Sequence, residues 1–572
     1  MLSLAASTAR RSLSSLRPSI HCHCFSTTAS TAASASSAPT AAAAAPYRVC
    51  IVGSGPAGFY AAKYLLSALA DPAVAGAGVT VDMVERLPTP FGLVRSGVAP
   101  DHQDVKTVQN DFAAVAADAR FAFHGNVEVG RDVSVAALRG SFDAVVMAHG
   151  AADDRHMGVE GEETLAGVVG ARSFVNWYNG HPDFVDAGPD LTYGGLGGTG
   201  TVVVVGNGNV AIDCARILTK SIDELATSDI KDYALDALRE SCVEHVILLG
   251  RRGHPQASFT IKELRELSRL DGVDAVVHEA ELEAGGSSEA SQAEIKGARA
   301  RKRIDKLLWD IAKALPADEK GAEGRARAHA AGRKTVELRF LSSPEKFTAE
   351  EGAGGAENAE GRVAHVHVAN MALEGEANAQ WAVPTGETEV IPAGLVLRSI
   401  GYKSVAMEGV AFDEQRAIAA HEGGRVDGGS SSSSSSSSTE GAAGAEGATG
   451  DAFQGGLYAA GWFKRGPSGI VGTNIACAKD TVATLIADLQ AQPGGGQTAG
   501  VTATGEGEEG RFEALVVDWR SRVVVGWTGA LAIDAEETQR GEAVGKPREK
   551  IVCVDEMLET ARGVSGGTTT KK

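Results

Sequence analysis

Two glycine-rich turns, each lying between an apolar run and a helical pattern, limit what this chain can fold into. The first follows Val49–Val52 and reads Gly53-Ser54-Gly55-Pro56-Ala57-Gly58. The second follows Val202–Val205 and reads Gly206-Asn207-Gly208-Asn209-Val210-Ala211. In such a turn the first glycine makes the bend, the second lets the backbone approach a pyrophosphate, and the helix N-terminus faces the anion. One turn is a weak indicator, but two predict an enzyme that holds two dinucleotides and passes electrons between them.

The strand that follows each turn ends in residues of opposite charge. After the first turn, Val79–Val84 ends at Glu85, whose carboxylate can accept hydrogen bonds from the ribose hydroxyls of FAD or NAD. After the second turn, His245–Gly250 ends in Arg251 and Arg252. Two guanidinium groups suit the 2′-phosphate of NADP(H), by charge and by fork geometry. An isolated arginine pair is more often a solvated charge pair, but the position of this pair favours NADP(H) binding.

Length and composition agree with a multidomain enzyme. The chain has 572 residues, 43% of them hydrophobic, and no apolar run approaches the length of about 18 residues that a membrane-spanning helix needs. Residues 1–46 are rich in Ser, Ala and Thr, contain three arginines and lack Asp and Glu, which is typical of an organelle transit peptide. Without those arginines the net charge of −19 becomes −22, and so acidic a protein is a poor candidate for binding nucleic acid or an anionic membrane.

The seven cysteines form no metal-binding or redox-active pattern. Cys22 and Cys24 lie in the predicted transit peptide, and the other five are scattered without a C-x-x-C pair. We therefore expect no metal site and no redox-active dithiol in this chain. The electrons must leave by a route other than a protein disulfide.

The order of the predicted elements indicates an α/β protein in which one domain is inserted into another. We expect two Rossmann-like dinucleotide-binding domains of the glutathione-reductase type. The FAD-binding domain covers 47–150 and resumes at 395–572, because a strand, a Gly-rich turn and a helix recur near residue 456. The NADP-binding domain, 151–394, is the inserted one.

Four tracts rich in Gly, Ala, Glu or Ser are interpreted as insertions. The longest covers 423–451 and contains the unbroken serine run Ser430–Ser438. The others are 285–291, 352–361 and 492–510. Their low apolar content cannot offset the entropy cost of ordering, so we expect loops or disorder there.

Eight longer runs, in a fixed order along the chain, are more specific than any single turn. They are Glu85–His102, Asn176–Gly180, Gly206–Arg216, Gly250–Gly253, Phe259–Glu266, Ser399–Ser404, Gly461–Ile470 and Gly545–Lys550. Together they resemble the adrenodoxin reductase family, mitochondrial flavoenzymes that move electrons from NADPH to a [2Fe–2S] ferredoxin. The resemblance covers nearly all of 47–560 apart from the predicted insertions.

The resemblance implies which residues contact each cofactor. For FAD these are Gly53, Gly55, Ala57, Gly58, Glu85, Leu93, Val129, Trp462, Gly469, Ile470 and Val471. For NADP they are Asn207, Gly208, Asn209, Val210, Arg251, Arg252, Glu263 and Gly469. The chemistry fits, because backbone amides at a helix N-terminus can bind flavin oxygens and Trp462 offers a flat wall beside a ring. The alternative for Trp462 is a core aromatic under the sheet.

Two further residues are candidates for a catalytic role. In the family a histidine and an aspartate lie near the flavin, and the matching positions are His102 and Asp213. The alternative is structural: His102 supports the site by hydrogen bonding, and Asp213 is a carboxylate near a helix start. Hydride transfer depends on stacking and distance more than on acid–base catalysis, so both interpretations stay open.

A ferredoxin is acidic, and an acidic enzyme should repel it unless a local basic surface guides docking. The densest basic cluster outside the transit peptide is Arg299, Arg301, Lys302 and Arg303, on a predicted helix, and it resembles the docking stretch of the family. Lys464 and Arg465 add charge near the flavin motif. The alternative for the cluster is a solvated helix face.

The sequence therefore predicts a mitochondrial flavoenzyme that passes electrons from NADPH through FAD, one at a time, to an adrenodoxin-like [2Fe–2S] ferredoxin. The transit peptide places it on the matrix side, although a plastid also fits. Peripheral association with the inner membrane is left open. The alternative enzyme is the NADPH-oxidising flavin subunit of a glutamate-synthase-like complex, which would normally carry an N-terminal cysteine-rich region that this sequence lacks.

Overall fold

The computed structural model describes residues 45–70, 78–350, 361–426, 455–491, 512–517 and 522–564. The predicted transit peptide up to residue 44, the serine run, the tract 352–360 and the segment 492–510 lie outside the described residues. Within the described ranges, no helix is long and apolar enough to cross a membrane.

The strands are short, mostly apolar and largely parallel, which is typical of sheets covered on both faces. They are β1 Tyr47–Val52, β2 Val79–Val84, β3 Phe121–His124, β4 Ala144–Met147, β5 Asp153–Asp154, β6 Val168–Gly170, β7 Thr201–Val205, β8 His245–Gly250, β9 Val273–Val277, β10 Lys334–Phe340, β11 Ser342–Thr348, β12 His365–Glu374, β13 Trp381–Pro392, β14 Leu395–Arg398, β15 Tyr402–Lys403, β16 Phe412–Asp413, β17 Ile418–Ala419, β18 His421–Glu422, β19 Arg425–Val426 and β20 Gly456–Ala459.

The α-helices lie between these strands and after the last of them. They are Pro56–Ala68, Leu93–Ser96, Gln103–Lys106, Val108–Ala116, Val135–Ser141, Ala171–Tyr178, Asn209–Thr219, Ile222–Ala226, Asp232–Arg239, Ile261–Leu267, Glu279–Gly286, Glu289–Gly297, Arg299–Ala314, Ala317–Lys320, Ala322–Ala330, Trp462–Arg465, Thr473–Ala491, Trp527–Ala543 and Val554–Val564.

The first sheet has the strand order β18-β19-β20-β4-β1-β2-β3, and the strands from β20 to β3 are parallel. β20 pairs with β4 although more than 300 residues separate them, with Gly456 opposite Ala144. Residues on both faces of β1 and β4 are fully buried. The prediction of a discontinuous domain, completed by the C-terminal part of the chain, is confirmed by this pairing.

The second sheet is entirely parallel, with the strand order β6-β14-β7-β8-β10-β9. A three-stranded antiparallel sheet, β11-β12-β13, forms between β10 and β14 in the chain. The fold class is therefore the predicted one, with two dinucleotide-binding sheets and the second inserted into the first. The exact domain limits 47–150, 151–394 and 395–572 stay a prediction, with one correction.

The correction concerns Leu395–Arg398, which was assigned to the resumed first domain. This strand pairs with β7 and β6, so it belongs to the second sheet. A short buried run such as Leu-Val-Leu has the same pattern in either sheet, and only its partners decide its place. The first sheet resumes later, at β18.

Two of the predicted insertions are also shorter than expected. Residues 285–291, predicted as a loop, contribute to the helices Glu279–Gly286 and Glu289–Gly297. The tract 423–451 begins inside the hairpin of β18 and β19, so only its part from 427 onward lies outside the described residues. Ser288 caps the second helix by accepting a hydrogen bond from the amide of Ser291, a local signal that a compositional argument overlooks.

Buried ion pairs join the two sheets to the C-terminal segment. Lys106, which lies between β2 and β3 of the first sheet in the chain, donates to both carboxylate oxygens of Asp229, at 2.7 and 2.8 Å. Lys550, from the C-terminal motif, lies 3.2 Å from the same carboxylate and donates to the carbonyl of Asn179. All three charged groups are at most 7% exposed. We call this set, Lys106, Asp229 and Lys550, the ionic clasp.

A second buried pair repeats the arrangement within the first domain. Glu537, fully buried, accepts from Arg95 at 2.8 Å and from Arg548 at 3.0 Å.

In the ionic clasp, burial alone would raise the pKa of Asp229, but Lys550 and Lys106 lower it to about 2. The carboxylate is therefore charged throughout the physiological range.

We predict that Asp229→Asn lowers the free energy of unfolding by about 3 kcal/mol, because it leaves two lysines without their buried partner. Urea unfolding at pH 7 measures this. The matched control is Asp236→Asn, which removes an exposed pair with Arg239 and should change stability little. Equal effects of the two variants would contradict a stabilising clasp.

The contribution of the ionic clasp to the free energy of unfolding depends on pH in a definite direction. The pKa of Asp229 in the folded protein lies below the ordinary value near 4. Its contribution is therefore present above about pH 4 and is lost as the pH falls toward 2. The difference in stability between wild type and Asp229→Asn should shrink over that interval, as followed by urea unfolding at stepped pH.

Candidate functional site

The first turn lies at the carboxyl end of β1, beside the carboxylate of Glu85. Gly53 has a φ of +102°, and a Cβ there would lie 2.6 Å from the backbone that follows β4. The amide and hydroxyl of Ser54 donate to Glu85 Oε2 over 3.0 and 2.7 Å. A Cβ on Gly58 would lie 2.1 Å from the carbonyl oxygen of Gly53, whereas one on Gly55 would meet nothing within 4 Å. The second glycine faces open space, where a pyrophosphate could approach the backbone.

Leu93 and Val129 lie on segments that pass this turn. The amide of Phe91 donates a hydrogen bond of 3.0 Å to the carbonyl of Ser54 in the first turn, and Leu93 begins the next helix. The amide of Val127 donates 2.9 Å to the carbonyl of Glu85, and Val129 follows as a buried side chain. Each of these two residues therefore follows closely, along the chain, a residue that is hydrogen-bonded to the predicted FAD site.

The segment after β20 packs directly on the first turn. Gly461 has a φ of +69°, and a Cβ there would lie 2.4 Å from the Cβ of Ala57. Trp462 follows, half-buried, with its ring centre 5.6 Å from that of Tyr402. Because of this close approach, the fold brings together FAD-site candidates that are 400 residues apart in sequence.

The backbone amides of residues 469–471, which are predicted to bind flavin oxygens, lie just before the helix Thr473–Ala491. The amide of Ile470 is already used, since it donates to Thr473 Oγ1 over 3.1 Å. The amides of Gly469 and Val471 have no acceptor among the described residues. The side chain of Ile470 is 63% exposed, so this segment borders an open surface.

The second turn is built like the first. Gly206 has a φ of +133°, and a Cβ on Gly208 would meet nothing within 4 Å. Asn209 and Val210 begin the helix Asn209–Thr219, and Asn209 Oδ1 accepts from the amide of Thr260 over 2.8 Å. The side-chain oxygen of Asn207 is buried without a hydrogen-bond partner. An orphaned polar atom beside an open glycine is what a site for a polar dinucleotide requires.

A four-residue segment after β14 connects the two turns. A Cβ on Gly206 would lie 2.2 Å from the carbonyl oxygen of Ser399. Three residues later, Tyr402 faces Trp462, which follows the close contact with the first turn. The two candidate dinucleotide sites are therefore neighbours, as electron transfer between their ligands requires.

Arg251 and Arg252 follow β8 and are exposed. A Cβ at Gly250 would come within 1.8 Å of the Asn207 side-chain nitrogen, so the end of β8 touches the second turn. In the described part of the chain, neither guanidinium group has a hydrogen-bond or ion-pair partner. Two free arginines at this edge fit an anionic ligand such as a 2′-phosphate.

His102 and Asp213 are brought together by Arg216, a residue to which the sequence assigned no role. Arg216 is 2% exposed. It contacts His102 Nε2 at 2.7 Å, Asp213 at 2.8 Å, Glu266 at 3.0 Å and Asp101 at 3.1 Å. The i,i+3 spacing of Asp213 and Arg216 on one helix was the only local signal, because the other partners lie far away in sequence.

His102 Nε2 has two alternative hydrogen-bond partners. His102 Nε2 lies 2.7 Å from a Glu266 carboxylate oxygen and 2.7 Å from the Arg216 guanidinium. One ring nitrogen either donates to the carboxylate or accepts from the guanidinium, and it cannot do both at once. Glu263 Oε2, buried without a hydrogen-bond partner, lies 3.7 Å from the same nitrogen. His102 Nε2 can therefore bond to either neighbour without moving the ring.

The pKa values of the two aspartates of this cluster are shifted in opposite directions, although both groups are buried. Burial raises the pKa of Asp213 to about 6, although Arg216 opposes the shift. Burial also acts to raise the pKa of Asp101, but Arg216 and Lys220 hold it below its ordinary value. Asp213 is the carboxylate of the two whose charge changes near neutral pH.

His102, Glu263 and Glu266 lie close enough together to hold a metal ion. The guanidinium of Arg216, however, lies within 3.0 Å of both His102 and Glu266. A fixed positive charge at this distance disfavours a second cation, and it already pairs with Glu266. The arrangement fits a hydrogen-bonded ion cluster.

The basic cluster lies, as predicted, on a helix, Arg299–Ala314. Arg299, Lys302 and Arg303 are exposed and have no partner among the described residues. Arg301 instead pairs with Glu294 at 3.3 Å and donates to Asn378. Lys464 is a correction: it is 7% exposed and bonds to Asp480 and Thr481, so it adds no free surface charge.

Comparisons with known proteins agree with this architecture. Residues 47–311 match the pyridine nucleotide-disulphide oxidoreductase family. The chain is 40% identical over 516 residues to NADPH:adrenodoxin oxidoreductase, mitochondrial, of Salvelinus fontinalis, covering 90% of this chain and 91% of that protein. It is 39% identical to the Arabidopsis thaliana protein of the same name, covering 90% and 95%. The solved structure of Mycobacterium tuberculosis FprA in complex with NADPH is similar, with a TM-score of 0.72, 36% identity and coverage of 91% and 100%.

The fold and the two turns define a pyridine-nucleotide oxidoreductase with two dinucleotide sites. Identity of about 40% over nine-tenths of both chains places it further: the chain belongs to the adrenodoxin reductase family. The predicted enzyme class and the predicted cofactors, FAD and NADPH, are confirmed by this membership. The five cysteines in the described residues are free.

We predict that replacing Arg251 and Arg252 together with glutamine weakens NADPH binding about 10- to 100-fold, because charge-assisted hydrogen bonds to the 2′-phosphate are lost. NADH binding should change little, since NADH lacks that phosphate. Steady-state reduction of ferricyanide with each coenzyme gives the two KM values. Arg269→Gln, an exposed arginine after the neighbouring helix, is the control. Equal losses for NADPH and NADH would show that the pair is structural.

Proposed function

We propose that this protein transfers electrons from NADPH through FAD to a [2Fe–2S] ferredoxin. One observation carries the proposal: the chain places two open glycine turns next to each other and gives only the second a pair of free arginines. Relatives named NADPH:adrenodoxin oxidoreductase and NADPH-ferredoxin reductase support the acceptor. A bound FAD accepts two electrons from NADPH and can release them one at a time.

The charge of the residues at the ends of β2 and β8, the strands that follow the two turns, decides which cofactor we assign to each turn. We assign FAD to the first turn, with Glu85 toward the ribose and Trp462 and residues 469–471 toward the flavin. We assign NADPH to the second turn, with the backbone of Asn207 and Gly208 toward its pyrophosphate and Arg251–Arg252 toward its 2′-phosphate. The open glycine of each turn supports these roles, and the orphaned Asn207 Oδ1 can accept a hydrogen bond from a hydroxyl or amide group of the ligand.

The cluster around Arg216 is proposed to position His102. Arg216 contacts three carboxylates, which hold its guanidinium in place beside His102 Nε2. Asp213, with its raised pKa, changes charge near pH 6 and thereby changes the field on His102. His102 and Asp213 are candidates for catalysis on this basis, with Arg216 as a positioning residue.

The direct test of the function is an NADPH-driven cytochrome c reduction assay with and without a [2Fe–2S] ferredoxin. We expect slow reduction without ferredoxin and a large increase when it is added. A rate that is the same with and without ferredoxin would contradict the proposed acceptor.

We propose that ferredoxin docks on the exposed face of Arg299, Lys302 and Arg303. Arg299 and Arg303 stand one helical turn apart and share a face. Both are exposed, whereas Arg301 is engaged by Glu294. A basic face on an acidic enzyme attracts an acidic partner locally, over the Debye length of about 8–10 Å.

We predict that Arg299→Glu with Arg303→Glu raises the apparent KM for ferredoxin about 10-fold at low salt, with the effect fading as ionic strength rises. NADPH-to-ferricyanide activity should be unchanged, because a small acceptor reaches the flavin without this face. The charge reversal Lys313→Glu, in the last turn of the same helix, is the control. If both acceptors slow equally, the mutations have disturbed the fold. If neither slows, docking takes place elsewhere.

We propose a mitochondrial location on the basis of residues 1–46. Relatives from animals and a plant carry the word mitochondrial in their names, while the similar FprA is bacterial. Expression of residues 1–46 fused to a fluorescent protein tests this. Import into mitochondria supports the proposal, whereas import into plastids or retention in the cytosol contradicts it.

A further inference from the structure

His149 is a polar residue that lies in the cleft between the two parts of the proposed FAD site. It follows the carboxyl end of β4, which pairs with β1 on one side and β20 on the other. In a parallel sheet, ligands bind outside the carboxyl ends of the strands. His149 therefore lies at the edge where the first turn is found.

Two contacts define its position. A Cβ on Gly53 would lie 2.6 Å from the Cα of His149, so the first turn presses on its backbone. Its ring centre lies 4.2 Å from that of Phe463, the residue after Trp462. The backbone of His149 thus lies against the turn proposed to face the pyrophosphate, and its ring contacts the segment proposed to lie beside the flavin.

The ring has no protein partner to explain its polarity. Nδ1 is buried and makes no hydrogen bond, and no ion pair or hydrogen bond to either ring nitrogen is found in the described residues. Burial lowers the pKa of His149 to about 4, so the ring is neutral at physiological pH. A neutral imidazole offers one donor and one acceptor, and leaving the buried Nδ1 without a hydrogen bond is costly.

We propose that His149 is a cofactor-binding residue that packs against FAD and hydrogen-bonds to one of its polar groups. This inference rests on the proposed FAD site at the first turn. It adds a contact from the end of β4, a strand to which the sequence motifs assign no cofactor residue. The tilted contact with Phe463 restricts the orientation of the ring, and neutrality lets the ring accept or donate without placing a charge beside the flavin.

The test is the rate of FAD release from the purified holoenzyme, followed as the rise in flavin fluorescence after dilution. His149→Phe keeps the ring on Phe463 but cannot hydrogen-bond, so release should be about 2- to 10-fold faster. His149→Gln keeps hydrogen-bonding groups and should fall between His149→Phe and wild type. His365→Phe, in the separate three-stranded sheet, is the matched control and should leave release unchanged.

Release from His149→Phe at the wild-type rate, with an unchanged flavin absorption spectrum, would overturn the inference. If wild type itself binds no FAD, the proposed function fails instead, so the two failures are distinguishable. A second measurement needs no variant: diethyl pyrocarbonate modification of wild type, mapped by mass spectrometry. Bound FAD should protect His149 and not His365, and equal modification of His149 with and without FAD would contradict the inference.

Discussion

Buried charge at the junction of the two nucleotide-binding sheets is the constraint on which the rest of the structure depends. Asp229 lies between Lys106 and Lys550, which come from distant parts of the chain, and all three groups are buried. An unpaired charge in such a place is far more costly than the pair itself is favourable. The ionic clasp therefore favours the arrangement of these segments in which all three charges stay paired.

Around this junction, close backbone approaches assemble the site from distant segments. Gly461 packs on Ala57, and Gly206 packs on the carbonyl of Ser399, at distances that only glycine permits. The segment from Ser399 to Tyr402 then links the second turn to Trp462. A short path between the two turns thus results from close packing at glycines. Longer side chains would hold the turns apart.

Local patterns in the sequence were sufficient to predict the two turns, Glu85 and the arginine pair, because each depends on a strand end and the residues next to it. Interactions across the fold were not predictable in this way. Arg216 lies in a recognisable helix, but its partners outside that helix come from two distant segments, at residues 101–102 and at Glu266. The place of β14 depended on which strands flank it, and the burial of Lys464 on an aspartate in another helix. The assignments of individual residues to FAD and NADPH rest on the proposed function.

The central claim is that NADPH held at the second turn reduces FAD held at the first, within one chain. Anaerobic mixing of the FAD-loaded protein with one equivalent of NADPH tests it most directly, with the visible flavin absorption as the readout. The account predicts that this absorption is bleached by NADPH in the absence of any ferredoxin, and much more slowly by the same concentration of NADH. Retention of the oxidised flavin spectrum, while both cofactors are shown to be bound, would contradict it.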